Sequence, residues 1–390
     1  MIDHQIGALV VGGDHPGLAV ARSLGQRNIP VYVLEDQLSV SQWSRYVSRV
    51  IRVEDIRGDR ATVDAVMEVG HRFGLKGWVL FPTRDEHVGA FSRFREELSK
   101  FFRVTTPAWE TTQWAWDKKN SYDLAEKVGI PVPKTWTIRN SGELQALYGH
   151  LPLAIKPAIK ERFFYATGAK AWRANTPEEL NHLFSRASLH ISAPEILIQE
   201  IIPGDGRQQY SFCAFCRNGR VHSSLAARRL RQHPREFGRA ATYVETLEMP
   251  IIEELSEPFL KHIDYSGLVE IEFKQDIRDG QYKLIDVNAR TWGFVSIGWP
   301  AGVDFPYLLF ADQLGLPIEQ SRGRSEVGWM RVVSDVPTAL LDLVSGHLSL
   351  RTYFSSLVNT RVESVFAKGD PLPAVAELVL LPYLVAKKYF

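Results

Sequence analysis

The sequence predicts a doubly wound α/β domain joined to an α+β unit, and three observations carry that reading. From Gly7 to Asp36 it runs as apolar strand, glycine-containing turn, helix and second apolar strand, the βαβ opening of a parallel sheet. The composition changes between Thr105 and Pro133, where Gly129-Ile-Pro-Val-Pro133 forces extended chain after a helix. Beyond that point short strands mix with helical stretches and lead to a β-hairpin from Leu268 to Arg290.

In order, the first strand, Gly7 to Val11, enters Gly12-Gly13-Asp14-His15-Pro16-Gly17, and the second ends in Glu35-Asp36. An acid about 20 residues beyond the glycines invites a dinucleotide reading. The spacing fails, because with Gly12 first the second fingerprint position is Asp14, a carboxylate where a pyrophosphate must approach. Strands at Val50 to Val53 and Gly77 to Phe81, with a helix over 59–73, continue the sheet. The loop Pro82 to His87 then lies at a strand's C-terminal end, where open α/β sheets bind ligands. Thr83 and Arg84 suit a substrate carboxylate there. Thr83 as a helix N-cap, with Glu86 closing a capping box, accounts for the same residues.

In the α+β unit, Lys156 ends the apolar strand Leu-Ala-Ile-Lys. Lysine is seldom buried without a charge, so an anion such as phosphate is its natural partner. Lys118, in Trp-Asp-Lys-Lys-Asn, is explained equally by solvent exposure. Phe163 to Lys170 reads as a polar, aromatic loop, and Thr176 opens a helix with a capping box. Strands follow at Ile196 to Ile202 and Gln209 to Phe215. The basic run Arg228-Arg229-Leu230-Arg231-Gln232-His233-Pro234-Arg235 reads as an anion site or as a solvated loop.

The hairpin turns at Asp279-Gly280. Side chains alternate along strands, so Glu270 and Glu272 share one face, and Asp286, Asn288 and Arg290 share another. If Glu272, Asp286 and Asn288 converge, they are hard oxygen ligands suited to Mg²⁺ held jointly with phosphates. Arg290 could then reach a phosphate or carboxylate. The wet face of a half-exposed strand is the rival account.

Composition narrows the classes. The chain of 390 residues is 45% hydrophobic and 23% charged, with net charge +1. That argues for an ordinary globular chain of two or three domains and against a dedicated nucleic-acid binder. Two cysteines, Cys213 and Cys216, imply a reducing compartment and read as packing residues. Neither a signal peptide nor a run of the ~20 apolar residues that a bilayer span requires is apparent. The expectation is a cytoplasmic protein with no integral membrane span. Ala374 to Ala386, the longest apolar stretch, reads as a terminal helix packed on the body or as a membrane-surface or partner contact.

These landmarks, in this order from Gly7 to Leu316, resemble the ATP-grasp superfamily, the carboxylate–amine ligases related to biotin carboxylase, carbamoyl phosphate synthetase and D-alanine–D-alanine ligase. The resemblance implies a pre-ATP-grasp α/β domain over residues 1–110. An ATP-grasp domain would follow over 111–320, with a small lobe at about 133–200 and a large lobe at about 201–320. A C-terminal accessory helical segment would occupy 321–390. Lys118 and Lys156 match the family's nucleotide lysines, and 158–168 its phosphate-covering loop. Gln199-Glu200-Ile201-Ile202-Pro203-Gly204 matches the adenine hinge, with Glu200 and the Ile202 backbone at the adenine edge. Gln208 and Gln209 stand where many relatives place an acid on the ribose. Glu272, Asp286 and Asn288 match the metal ligands, and Arg290 matches the arginine beside the transferred phosphate. The covering loop carries Glu-Arg-Phe-Phe-Tyr instead of a glycine run, and the second metal acid is Asp286 instead of the commoner glutamate.

The implied chemistry is ADP-forming ligation of a small-molecule carboxylate and an amine through an acyl phosphate. It would use ATP and two Mg²⁺ ions, which Mn²⁺ could replace. Arg228 and Arg231 are the candidates for holding the acceptor, and 237–242 for a substrate loop. Carboxylation, kinase-type transfer and ATP binding without turnover are the alternatives, and a homodimer is left open.

Overall fold

The computed structural model describes residues 6–238 and 240–387. Arg239, in the expected substrate loop, lies outside them. The first sheet holds β1 (Ala8–Val11), β2 (Val31–Glu35), β3 (Arg49–Arg52), β4 (Val79–Pro82) and β5 (Arg103–Val104), all parallel, in the order β3-β2-β1-β4-β5. Covered on both faces, β1 and β4 are wholly buried apolar runs. Strand order reverses at β1, so the turns after β1 and β4 border a crevice at their C-terminal ends. Gly12 sits there at φ 93°, and a Cβ would meet Thr83 Oγ1 at 2.2 Å. The Gly13 N–H, which a dinucleotide phosphate would need, donates to Glu35 Oε2 at 2.5 Å. Thr83 is not the helix cap that the sequence suggests. Its hydroxyl donates to the Val11 carbonyl at 2.8 Å, and the helix begins at Asp85 with Arg84 at the N-cap position.

The second sheet is antiparallel, with β6 (Thr135–Thr137), β7 (Leu153–Pro157), β8 (Trp172–Ala174) and β9 (Ile196–Glu200) in the order β6-β9-β7-β8. A helix, Pro177–Ala187, covers it, and Thr176 accepts from the Glu179 N–H as the capping pattern requires. Leu144, Phe163, Phe184 and Ile196 give this lobe its own core. The covering loop expected at 158–168 contains a helix, Lys160–Thr167, stopped by Gly168 at φ 69°.

The third sheet has seven strands: β10 (Gln209–Arg217), β11 (Arg220–His233), β12 (Ala240–Leu247), β13 (Gly267–Gln275), β14 (Tyr282–Asn288), β15 (Gly328–Met330) and β16 (Thr360–Glu363). Their order is β14-β13-β10-β11-β12-β15-β16. Most of the basic run expected as an anion site or loop therefore ends a long strand. The accessory segment carries three helices, Val332–Val344, Leu350–Asn359 and Leu372–Lys387, and also contributes β15 and β16 to this sheet. Val10 and Phe81 of the first sheet share a buried cluster with Phe215, Trp292, Phe305 and Trp329. Each such buried phenylalanine contributes about 1.5–3 kcal/mol, so these two units form one body while the small lobe keeps a separate core. Cys213 and Cys216 are free and buried in different clusters, as opposite faces of one strand require. Among the described residues no helix is long and apolar enough to cross a membrane.

Candidate active site

Register builds the floor of the site. Antiparallel β13 and β14 set Glu270 opposite Asn288 and Glu272 opposite Asp286, so all four side chains lie on one face. Neighbouring strands supply the partners. Ser211 of β10 donates to Glu270 at 2.8 Å, and Gln209 donates to Glu272 at 2.7 Å. Arg229 of β11 lies 3.2 Å from Glu270 and 2.6 Å from Glu272. Asn288 Nδ2 donates to both acids, at 3.2 and 3.0 Å. Burial and the adjacent Glu272 charge push the Glu270 carboxyl above the usual range. Burial acts the same way on Glu272, but Arg229 and Lys170 together hold that carboxyl low. Asp286 is likewise held down against burial by Lys118, whose Nζ is 2.6 Å away.

A cavity of about 520 Å³ opens between this floor and the small lobe. Lys118, Lys156 and Lys170 line it beside Glu272 and Asp286, and Gln199, Glu200 and Ile202 line its far end. Lys156 Nζ donates to Tyr122 Oη at 2.5 Å, and its charge helps hold the Asp286 carboxyl low. Burial, then the neighbouring Lys160 charge, brings the Lys170 ammonium down to about 8. At the hinge Glu200 is held in place by the Lys134 N–H at 3.0 Å, Arg278 at 2.8 Å and Lys283 at 3.2 Å. The Ile202 carbonyl accepts from Lys274 at 2.9 Å.

A second cavity, of about 290 Å³, continues from the first, and Lys170, Arg229, Glu272 and Asp286 line both. Its outer wall comes from the N-terminal domain. Asp85, the first residue of its helix, pairs with Arg290 and with Lys160 at 2.7 Å. Arg290 also reaches Asn288 Oδ1 at 3.1 Å. Tyr165 donates to Glu86 at 2.6 Å, so the 160–167 helix leans on the first domain and closes this cavity. Glu161 lines it with a buried Oε2 that lacks a hydrogen-bond partner. Burial and the nearby Asp85 raise its carboxyl to about 7. His15, on the opposite wall, is brought down to about 3 by burial and by Arg331, so it is neutral at physiological pH.

The arrangement is a row of buried acids between clustered cations, shared by two joined cavities under a separate lobe. No protein-family model matches the chain. It is 25% identical over 301 residues to a D-aspartate ligase of Enterococcus faecium (strain Aus0004), spanning 72% of this chain and 70% of that protein. The L-amino acid ligase of Bacillus licheniformis superposes with TM-score 0.62 at 16% identity, covering 80% of this chain and 75% of that one. The biotin carboxylase domain dimer of Hydrogenobacter thermophilus 2-oxoglutarate carboxylase, solved with MgADP, ADP and bicarbonate, gives 0.64 at 15% identity, covering 82% and 73%. The chain shares the fold of these two solved enzymes.

Three residues expected in this site are placed elsewhere. Gln208 turns back to accept from the Asp205 N–H at 2.9 Å, and its neighbour Gln209 lines the cavity instead. Arg228 is half-buried opposite Glu245. Arg231 points away because a register shift at Leu230 reverses the side-chain alternation after Arg229. It is buried against Asp335 at 2.8 and 2.9 Å and Ser356 at 3.0 Å. Arg229 takes the position facing the acids, and its buried Nε has no hydrogen-bond partner. Strand alternation through the 220–233 run could have found it. Arg231→Leu leaves Asp335 buried without its cation. It is expected to lower stability by about 3–5 kcal/mol, seen as a fall in Tm, with KM for ATP unchanged in the folded enzyme. A raised KM at unaltered Tm would return Arg231 to the site.

Proposed function

We infer that the chain is an ATP-dependent, ADP-forming carboxylate–amine ligase that joins two small molecules through an acyl phosphate. The observation that carries this is the junction of the two cavities at Lys170, Arg229, Glu272 and Asp286. One cavity suits a nucleotide and the other an acid and an amine, so a phosphoryl group could pass between them. The D-aspartate ligase relative and the MgADP held by a structural neighbour support the reading.

Most of the catalysis in such a transfer is positioning and charge neutralisation. Lys118, Lys156 and Lys170 would hold the phosphates, and the 199–204 hinge would bind the adenine. Glu272, Asp286 and Asn288 present hard oxygens on one face, which fits Mg²⁺ shared with phosphate. Two ions would be held, and Mn²⁺ favours the same donors. Bound there, Mg²⁺ would neutralise charge on the transferring group.

Arg290, fixed by Asp85 and Asn288, would orient the acid. The carboxylate oxygen attacks the γ-phosphorus and ADP departs. The amine then attacks the acyl carbon, phosphate leaves, and the amine's proton must go to a base. Glu161 is suited to accept it, with a partnerless oxygen in the second cavity and a carboxyl near neutrality. The reading extends to a cytoplasmic enzyme without nucleic-acid partners, and to a homodimer on the pattern of the dimeric neighbour.

The test is ADP release from MgATP across paired acids and amines, with aspartate included as a reactant. Turnover is expected only when both partners are present. Release with bicarbonate alone would indicate a carboxylase, release with the acid alone a kinase, and release with no combination would overturn the ligase reading.

A further inference from the structure

The three C-terminal helices invert the usual arrangement of a surface helix, which buries its apolar stripe. On Val332–Val344, Asp335 is wholly buried, while Val336, Leu340, Leu341 and Val344 are exposed, Val344 at 90%. On Leu350–Asn359 the buried residue is Ser356, and Leu350, Phe354, Leu357 and Val358 face outward. On Leu372–Lys387, Glu377 is 2% exposed, while Leu372, Val375, Leu378 and Val379 are exposed, Val379 at 74%. The inner polar groups tie the helices together. Arg231 bonds Asp335 of the first and Ser356 of the second. Arg331, at the start of the first, bonds Glu377 of the third at 2.8 Å.

The charges sort in the same direction. Asp370 is buried against Arg22, and Glu363 accepts from the Val332 and Val365 N–H groups. Asp342 is half-buried, with Arg235 and Arg231 acting on it. Among the described residues from 332 to 383, the exposed charged side chains are Arg351, Arg361 and Lys368, all cationic. The third helix also packs on the 40–43 turn, which adds a partly exposed Trp43 and is followed by an exposed Arg45.

We propose that this face docks the enzyme on an anionic lipid surface, lying on the membrane and not across it. Outward aliphatic and aromatic side chains with a cationic rim and the acids withdrawn are what an interfacial helix needs. A second copy fits less well, since a symmetric contact would set Arg351, Arg361 and Lys368 against their own copies with no exposed acid to meet them.

The test is flotation of the full chain with vesicles of equimolar phosphatidylcholine and phosphatidylglycerol, compared with phosphatidylcholine alone. Binding is expected to the anionic vesicles, weaker by about tenfold or more on the neutral ones, and reduced by salt. Leu340→Glu combined with Val379→Glu should abolish it, and Arg351→Glu combined with Lys368→Glu should weaken it about tenfold, both with Tm and ADP release retained. These positions are exposed, so folding should survive; a variant whose Tm falls is replaced by the single Val344→Glu. Absence of flotation, flotation unchanged in the variants, or a dimer that the first double variant dissociates without any vesicle binding would each overturn the proposal.

Discussion

Glu272→Gln is expected to reduce ADP release from MgATP by on the order of 10²–10³-fold while the protein stays folded. Glu272 touches side chains from three other strands: Gln209 of β10, Arg229 of β11 and Asn288 of β14. Its carboxyl is held below the usual range although it is buried, so it is a fixed negative charge at neutral pH. Glutamine keeps the shape and removes that charge, which is the part an Mg²⁺ ion bridging to phosphate requires. Folding tolerates the change because Glu270 remains to pair with Arg229 at 3.2 Å, and loss of the neighbouring charge eases its own ionisation. Nucleotide affinity measured without metal should therefore change little. Unchanged ADP release would remove Glu272 from the metal assignment.

The acid row was legible because it depends on two local rules, strand alternation and hairpin register, and both act within 23 residues of chain from 268 to 290. Glu270 was seen on the correct face but not chosen. What marks it is its contact with Ser211 and Arg229, which the sequence separates from it by 59 and 41 positions. Plain alternation puts Arg229 and Arg231 on one face, and the shift at Leu230 parts them, since a bulge reverses inside and outside without a sequence signal. The 160–167 helix was expected as loop, although Lys160, Glu161, Arg162 and Ala166 are good helix formers and Gly168 is a natural stop. Asp85 lay inside the expected 82–87 ligand loop, but nothing in the sequence marked its role. It matters because it meets Arg290 and Lys160, 205 and 75 positions away, and only the packing of domains brings them together.

Arg229→Met should destabilise the protein by about 3–5 kcal/mol at neutral pH, since removing one member of a buried charge cluster leaves the others uncompensated. The arginine's side chain is 7% exposed and is the cation placed against both Glu270 and Glu272. Without it two buried carboxylates face each other with Ser211, Gln209 and Asn288 as neutral donors. Both carboxyls would then titrate above the unfolded value of 4.5. The sign follows from that. A raised folded-state pKa stabilises the fold below the unfolded pKa and loses that contribution as pH climbs through the folded value. The Tm deficit of the variant should thus be small near about pH 5 and grow toward about pH 8. Mg²⁺ should raise the variant's Tm more than the wild type's, because a divalent ion between the carboxylates replaces the missing charge and binding to the folded state alone stabilises it. Melting curves at the two pH values, with and without Mg²⁺, decide it. An equal deficit at both pH values would show that Arg229 acts through packing and does not neutralise the acid row.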